Sequence, residues 1–415
     1  MNSQALPADY QFDPADPDLI KDPYPYYGLM RAQPGLHRAA GGYWVASRHA
    51  DVREVLSTPE FGQGDFTKNI QLFYGPDFDP LQHSCYRWLS EVFLMQDPPA
   101  HTRLRRLVIS ALTPKRISDM RPRIEAITNE LLDVVAPKGR MEILSEFAYL
   151  LPTLVMCDML GVDEAERTPG AITKLTRAIA DGFLVFETRP LTPEELSRAN
   201  EQMDYLYEYF GSLYVQRAAT PGDDLTSALS LAREEDGSSL DPREAATIII
   251  AMFGAGFETT AHMIGNGLLR MHKTPSQWQL LVSDPDTYAP LAVEEVLRIE
   301  SSLQGSYRTA LQDAEIAGTQ VMAGEKVLCI LGSANHDEAE FSDPARMDIS
   351  RRDSRIMSFG GGIHHCIGQR LARLEGRIAF SALARRLPGM QVDTKAPRWR
   401  PGFLFRGLDQ LHASW

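Results

Sequence analysis

The residues best suited to chemistry in this sequence surround one cysteine near the C-terminal end. Cys366 ends the run Phe359-Gly-Gly-Gly-Ile-His-His-Cys366 and is followed by Ile-Gly368. Leu371, Leu374 and Ile378 then give the chain an apolar helical face, so we predict a helix that begins just after the cysteine. Free backbone N–H groups and the positive end of a helix dipole favour a thiolate, which is the form of cysteine that binds metal.

Three other interpretations of this segment stay open on its residues alone. A lone cysteine is often a plain buried side chain. His364, His365 and Cys366 are possible zinc ligands, although adjacent ligands span a tetrahedral site poorly and the sequence has no partner cluster. The glycine run is compatible with a phosphate loop, but the Gly-Lys-Ser/Thr of such loops does not follow.

A second group of residues lies in Ala255-Gly-Phe-Glu-Thr-Thr260. Glu258 follows directly on the ten-residue apolar run Ile248–Phe257, where a carboxylate is costly unless it has a partner or a task. Gly254 and Gly256 weaken a helix, and a threonine can bond back to a carbonyl, so we expect a local distortion with room for small molecules. The alternative is a helix bend that turns Glu258 to solvent.

Both segments resemble signatures of the cytochrome P450 family. The cysteine segment matches every fixed position of the family's heme-binding pattern, Phe-Gly-x-Gly-x-His-x-Cys-x-Gly, and the second segment is similar to its oxygen-activating motif, Ala-Gly-x-Asp/Glu-Thr. By this resemblance Cys366 is the axial ligand of heme b (iron protoporphyrin IX), and its thiolate promotes O–O cleavage. Thr259 and Glu258 are the implied catalytic residues. The other positions implied at the heme are Ala255, Phe359, Gly360 and Gly368.

Four further positions match family residues that bind the heme propionates. His101 and Arg105 are four residues apart and share one face of a predicted helix. Arg308, in Tyr307-Arg-Thr-Ala, and His364 add two more donors. Arginine suits a carboxylate through charge-assisted bonds, although any one of these residues, taken alone, is equally an exposed basic side chain.

A charged pair is predicted at Glu295-Val-Leu-Arg298, where spacing i,i+3 puts both side chains on one helix face. Such pairs are common on surfaces and worth little alone. The family places Glu-x-x-Arg between its two signatures, as here, and the resemblance implies a third partner in Asp348-Ile-Ser-Arg351. These residues are expected to be structural.

The wider pattern predicts a mainly α protein with a small β region. Tyr43–Ser47 is predicted as a strand, residues 60–96 as a long irregular loop, and the chain after 388 as β-like. A long helix should start at Asp241-Pro-Arg-Glu244, which has the pattern of a capping box, and run to Lys273. By resemblance, residues 1–415 form one heme domain with the family's triangular-prism fold around a buried heme.

Composition excludes several classes of function. With a net charge of -13, the chain is a poor general binder of nucleic acid or anionic membrane. Its longest apolar run is too short to span a bilayer, and four widely spaced cysteines suit a reduced, cytoplasmic setting. Two segments are basic, however: residues 101–118 carry +5 and residues 351–386 carry +6. They form either a docking face for an acidic partner or two solvated helix faces.

The resemblance implies an external monooxygenase that inserts one oxygen atom of O₂ into an apolar small molecule by hydroxylation or epoxidation, in secondary metabolism or catabolism. Electrons must then come from a ferredoxin or flavodoxin with its reductase, and we expect a monomer. A peroxide-driven peroxygenase is the alternative, although such members replace the acid–threonine pair with Arg-Pro. A non-catalytic recruitment domain should lack the cysteine or the propionate ligands, which are present here.

The substrate is predicted only by class. By resemblance it contacts the 60–96 segment, Phe183 to Phe186, residues 248–256, Ser302 to Tyr307 and Phe403 to Phe405. The first of these is crowded with aromatic residues, which indicates a sizeable apolar or aromatic substrate such as a polyketide, terpenoid or fatty-acid derivative. The alternative is that some of these aromatic side chains simply pack the loop. They are Phe66, Phe73, Tyr74, Tyr86, Trp88 and Phe93.

Overall fold

The computed structural model describes residues 10–187, 189–233, 237, 239–352 and 355–415. Their α-helices are, in chain order, α1 Pro17–Lys21, α2 Tyr24–Arg31, α3 His49–Ser57, α4 Phe66–Tyr74, α5 Ser84–Glu91, α6 Ala100–Ala111, α7 Pro114–Asp119, α8 Arg121–Val135, α9 Leu150–Leu160, α10 Pro169–Gly182, α11 Pro193–Ala219, α12 Leu225–Leu231, α13 Pro242–Lys273, α14 Pro275–Ser283, α15 Pro285–Ile299, α16 Leu331–Ala334 and α17 Gln369–Arg386.

The strands are short. They are β1 His37–Arg38, β2 Trp44–Ala46, β3 Phe61–Gly62, β4 Arg140–Glu142, β5 Gly305–Ala310, β6 Ala314–Ile316, β7 Thr319–Val321, β8 Lys326–Ile330, β9 Gln391–Val392, β10 Arg398–Trp399, β11 Leu408–Gln410 and β12 His412–Ser414. The predicted fold class, mainly α with a small β region, is therefore confirmed.

The chain divides into two compact units. The first unit comprises residues 1–64, 128–148 and 259–415. It holds a five-stranded sheet of order β1-β2-β8-β5-β3, in which β2 and β8 are parallel and the other neighbours antiparallel. Helix α17 packs against α15 in this unit. An apolar cluster under the sheet, with Val52, Val327 and Leu331 at its buried centre, ties α3 and α16 to the strands.

The second unit comprises residues 65–127 and 149–258. It is helical, and α11 is its organising element because α5, α10 and α12 all pack against it. The prediction of one irregular loop at 60–96 was wrong here, since the segment contains α4, α5 and two short 3₁₀ turns. Trp88 and Tyr86 are buried within it, so part of its aromatic content is packing, as the plainer interpretation proposed.

Helix α13 begins as the sequence predicts. The Asp241 carboxylate accepts the backbone N–H groups of Arg243 and Glu244, both at 2.8 Å, and the Glu244 carboxylate accepts the N–H of Asp241 at 3.4 Å. These bonds satisfy N–H groups that a helix start leaves open. Among the described residues α13 alone has the length and apolar composition of a membrane span, but it is mostly buried, and core helices of soluble proteins pass the same test.

The predicted pair of Glu295 and Arg298 is buried, not on a surface. Both side chains are 1% exposed, and two bonds of 2.8 Å join them. The remaining N–H groups of Arg298 reach the backbone carbonyls of Asn335, Pro344 and Arg346 at 2.7–3.2 Å. Arg351, the expected third partner, bonds the same carboxylate at 3.2 Å. The cluster therefore ties α15 to the chain that follows α16.

Replacing Arg298 with methionine should destabilise the protein by about 3–5 kcal/mol, because it leaves the Glu295 carboxylate buried without its main cation. Urea unfolding followed by circular dichroism measures the change. Arg398→Met is the control, because its ion pair with Asp409 is exposed and should contribute little. A loss for Arg298→Met no larger than that of the control would contradict this account.

Candidate active site

Cys366 lies just before the first turn of α17, as the sequence predicted. Its backbone N–H donates to the Phe359 carbonyl at 2.9 Å, which closes the glycine-rich loop into a tight hairpin-like turn. The side chain is partly exposed. Cys366 is therefore less buried than the other three cysteines of the chain.

Two glycines give this loop its shape. Gly360 and Gly362 adopt positive φ values of 67° and 62°, which other residues rarely adopt. A Cβ added at Gly362 would lie 2.0 Å from the carbonyl oxygen of Leu56, at the end of α3. The glycines therefore let the loop pack directly on a helix backbone and fix the position of the cysteine.

Side chains on neighbouring elements hold the start of the loop. The Asn335 side chain accepts the N–H of Met357 at 2.6 Å and donates to the Ser358 hydroxyl at 2.8 Å. That hydroxyl donates in turn to the Leu297 carbonyl at 2.6 Å. Asn335 and Ser358 were not identified from the sequence, because no motif marks them and their partners are distant in the chain.

The other three cysteines are chemically different from Cys366. Cys85, Cys157 and Cys329 are buried, and burial raises the pKa of each thiol to about 12. They are neutral thiols at physiological pH and poor ligands. The described residues contain no group of three or more His, Cys, Asp or Glu side chains arranged to hold a metal ion, so the donor at this loop is the single sulfur.

The motif on α13 sits in a helix that continues without interruption from Pro242 to Lys273. The expected local distortion is therefore not seen in its secondary structure. Glu258 is 8% exposed, which contradicts the alternative that it turns to solvent. Ala255 is exposed and Thr259 is partly exposed; four residues apart, they share a helix face. An accessible strip thus runs along the middle of an otherwise largely buried helix.

The predicted propionate ligands lie in both units. His101 and Arg105 lie on α6 of the second unit, His101 buried and Arg105 partly so. In the first unit, Arg308 is buried on β5, where its guanidinium donates to the Ser306 hydroxyl at 3.0 Å and the Tyr307 carbonyl at 2.7 Å. His364 is buried in the 3₁₀ turn before Cys366.

His262, one turn after Thr259 on α13, is a residue that sequence reasoning missed. Burial, together with the nearby Arg400 guanidinium, lowers the pKa of its imidazole to about 3, so the ring is neutral. A Cβ at Gly407 would lie 2.2 Å from this ring. The glycine thus makes room for the buried imidazole.

Comparison with known proteins identifies the family. The family described as "Cytochrome P450" matches residues 47–282 and 287–390.

The chain belongs to the cytochrome P450 family.

A putative cytochrome P450 133B2 of Xylella fastidiosa is 35% identical over 97% of this chain and 98% of its own length. The mycinamicin IV hydroxylase/epoxidase of Micromonospora griseorubida is 35% identical over 94% of each chain. Among solved structures, CalO2 superposes with a TM-score of 0.88 at 30% identity, covering 98% of each chain.

Membership of the cytochrome P450 family implies a heme, and the residues present fit one. The partly exposed Cys366 precedes a helix N-terminus on a glycine-shaped loop. The Phe359 ring, in the same loop, lies under the Arg373 guanidinium, 4.5 Å from the ring centroid. The small, exposed side chain of Ala255 leaves the middle of α13 open to a flat ligand.

Proposed function

We propose that this cytochrome P450 monooxygenase holds heme b through Cys366 and hydroxylates or epoxidises a sizeable apolar molecule. The observation that carries the proposal is the Cys366 loop, whose fixed, accessible sulfur contrasts with three buried thiols. Relatives named as hydroxylases and epoxidases support the reaction type. The name of the mycinamicin IV enzyme favours a substrate from secondary metabolism.

Each predicted site residue then has a role. When bound, the heme supplies the activation of dioxygen. Cys366 would hold its iron, Phe359, Gly360 and Gly368 would shape the loop around the sulfur, and Ala255, with its small side chain, would leave space for the flat ring system. The propionates would be bound by His101, Arg105, Arg308 and His364.

Proton delivery is assigned to the acid–threonine pair. The Glu258 carboxyl is buried, and a buried acid needs a partner or a function. The adjacent Thr259 is partly exposed on the accessible strip, so its hydroxyl can donate a proton or hold a water molecule there. This pair also favours the monooxygenase over a peroxygenase, whose family members carry Arg-Pro instead, and over a non-catalytic domain.

An electron carrier, a ferredoxin or flavodoxin with its reductase, is proposed to dock near the cysteine loop. Part of the positive charge of the two basic segments is neutralised by ion pairs, because Arg373 pairs with Glu294 and Arg103 pairs with Glu244. Arg370 remains exposed at the start of α17, and Ile363 in the cysteine loop is 51% exposed. Arginine is enriched at protein interfaces, so the exposed Arg370 supports a docking surface in this part of the chain.

The single-domain organisation, the monomeric state, the cytoplasmic location and the absence of nucleic-acid or membrane partners stay proposals. Support for the first is that the family match spans most of the chain.

Purified protein should be red, with one heme b per chain, and its reduced carbon monoxide complex should absorb at the thiolate-heme position. Cys366→His should move that band, because imidazole replaces the thiolate. Cys85→Ala, which changes a buried thiol of raised pKa, should leave the band in place. An absorption spectrum unaltered by Cys366→His would exclude Cys366 as the ligand.

Thr259→Ala should uncouple electron consumption from product formation, because the hydroxyl that holds or donates the proton is lost. Product per electron consumed should fall by at least about tenfold, and at most by the roughly 10²–10⁴-fold that one acid–base group typically contributes, and hydrogen peroxide should rise. The neighbouring buried Thr260 offers a matched control, and Thr260→Ala should keep the wild-type ratio. Equal coupling in both variants would remove Thr259 from proton delivery.

Arg370→Glu should slow the first electron transfer and flatten its dependence on salt, because surface charge acts mainly on the association rate. Substrate affinity should stay the same. Lys395→Glu, an exposed reversal in the C-terminal β region, is the control. The measurement is stopped-flow reduction with a ferredoxin over a salt series, and identical rates and slopes for both variants would mean that Arg370 is merely solvated.

A further inference from the structure

The Arg373 guanidinium, in the second turn of α17, is bound on several sides. Its Nε and Nη2 donate to the two carboxylate oxygens of Glu294 on α15, at 2.6 and 3.0 Å, and its Nη1 donates to the side-chain oxygen of Gln369 at 2.6 Å. Its flat face lies over the Phe359 ring, 4.5 Å from the centroid. A bidentate pair fixes the plane of a guanidinium as well as its position, so α15 holds the group that faces Phe359.

This ion pair differs from a more exposed pair on the same helix. The Arg373 and Glu294 side chains are 21% and 19% exposed, whereas those of Arg385 and Asp286 are 49% and 83% exposed. Exposed pairs contribute little, because water screens the charges and the long side chains lose freedom. Arg373 is shielded, bidentate and stacked on a ring, and its carboxylate partner neutralises it. It is therefore a poor source of charge for docking.

The contacts of Arg373 lead to the backbone of Cys366 by two routes. In the first, the Phe359 carbonyl accepts the Cys366 N–H at 2.9 Å. In the second, the amide nitrogen of Gln369 donates to Nδ1 of His365 at 3.3 Å, and His365 directly precedes the cysteine. Arg373 therefore restrains both flanks of Cys366, one through its own face and the other through Gln369.

The composition of the cysteine loop explains why such restraints are needed. Its middle, residues 360–362, consists of glycines that pack against Leu56 of α3, and Asn335 holds its start. Glycine loses more conformational freedom on folding than any other residue, so a loop rich in glycine must be fixed from outside. Arg373 supplies this restraint at the end of the loop that carries Cys366.

We propose that Arg373 is a positioning residue for the axial cysteine: anchored to α15 by Glu294, it holds both flanks of Cys366 and so determines how firmly the sulfur stays on the iron. The inference rests on the proposed function, because it takes Cys366 as the heme ligand. Arg370 is exposed and keeps the docking role. A guanidinium is required at 373, since lysine has neither the planar fork nor the flat face.

The first test measures how fast the reduced carbon monoxide complex of the heme-loaded protein loses its thiolate-heme band in mild urea. Arg373→Met should lose the band roughly two- to thirtyfold faster, the range of a cation–π contact from exposed to desolvated. Arg373→Lys keeps the charge but should also lose it faster. Arg385→Met, on the same helix, should keep the wild-type rate. A wild-type rate in either Arg373 variant, or an equal acceleration in Arg385→Met, would overturn the proposal.

Circular dichroism recorded over the same time separates a local effect from unfolding. In the Arg373→Met variant, the helical signal should stay constant while the thiolate-heme band decays, because only the cysteine loop has lost its restraint. A helical signal that decays together with the band would show a general loss of stability and would contradict the positioning role.

The second test separates position from charge through the equilibrium constant for one-electron reduction of the heme, measured by potentiometric titration. Arg373→Met alone leaves the Glu294 carboxylate unpaired, whereas the double variant Arg373→Met with Glu294→Gln removes both charges. The double variant should still differ from wild type by roughly two- to fivefold, the size of a partly exposed cation–π contact, because the restraint is lost. A wild-type constant in the double variant would mean that Arg373 acts through its charge alone.

Two further measurements identify the route of the effect. In a Phe359→Leu background, Arg373→Met should accelerate band loss less than it does alone, because the shared contact is already absent. The double variant with Glu294→Gln should keep the wild-type salt dependence of reduction by a ferredoxin, in contrast to Arg370→Glu. Strictly additive effects with Phe359→Leu, or a flattened salt dependence, would argue against a positioning role and so refute the proposal.

The proposed heme site and the role of Arg373 can fail independently. A wild-type protein without a thiolate-heme band would contradict the heme site, while the packing of Arg373 on Phe359 would remain measurable as the coupling of the two substitutions in the unfolding temperature. A protein with that band, retained at the wild-type rate in Arg373→Met and Arg373→Lys, would contradict the positioning role alone.

Discussion

A guanidinium has five N–H donors, and burying it without partners leaves a charge that is costly to remove from water. In the first unit Arg298 satisfies this requirement completely, with two bonds to Glu295 and three to backbone carbonyls. One of those carbonyls belongs to Asn335, whose side chain holds the backbone at Met357 and the hydroxyl of Ser358. The position of the cysteine loop therefore depends on a buried ion pair that is distant from Cys366 in the sequence.

The signals that predicted the site are local. The start of α13 is encoded within four residues, Asp241 to Glu244, and the cysteine loop within ten, so both could be identified from the sequence alone. Helices α4 and α5 could not, because their stability depends on distant partners: the Tyr74 hydroxyl binds Tyr86 and the N–H of Leu191. The apolar pattern within residues 60–96 is hard to detect because α4 and α5 are only nine and eight residues long, shorter than the window of about 11–18 residues over which helical periodicity is recognised.

The charge available on the surface is also hard to predict from the sequence, because it depends on partners that are distant in the chain. Counting residues along the chain makes 351–386 strongly basic, but five of its arginines form ion pairs, all of them with acids outside the segment. Arg386, for example, bonds Asp133, and Arg385 bonds Asp286. A run of like charge in sequence is therefore an upper bound on the field at the surface. Only an exposed residue such as Arg370 contributes its charge to docking.

Two glycines in the middle of α13 lower its intrinsic helix propensity but allow close packing of neighbouring side chains. Gly254 admits the Phe183 ring, and a Cβ at Gly256 would lie 2.5 Å from the sulfur of Met156 on α9. Both glycines reduce helix propensity, yet the helix continues through them. Packing of the Phe183 and Met156 side chains against its backbone stabilises the helix at these positions. Ala255 lies between these contacts and remains accessible. Gly254 and Gly256 thus let neighbouring side chains pack closely on α13 on either side of Ala255. A bulkier residue at either position would displace these side chains and shift the accessible strip of the helix.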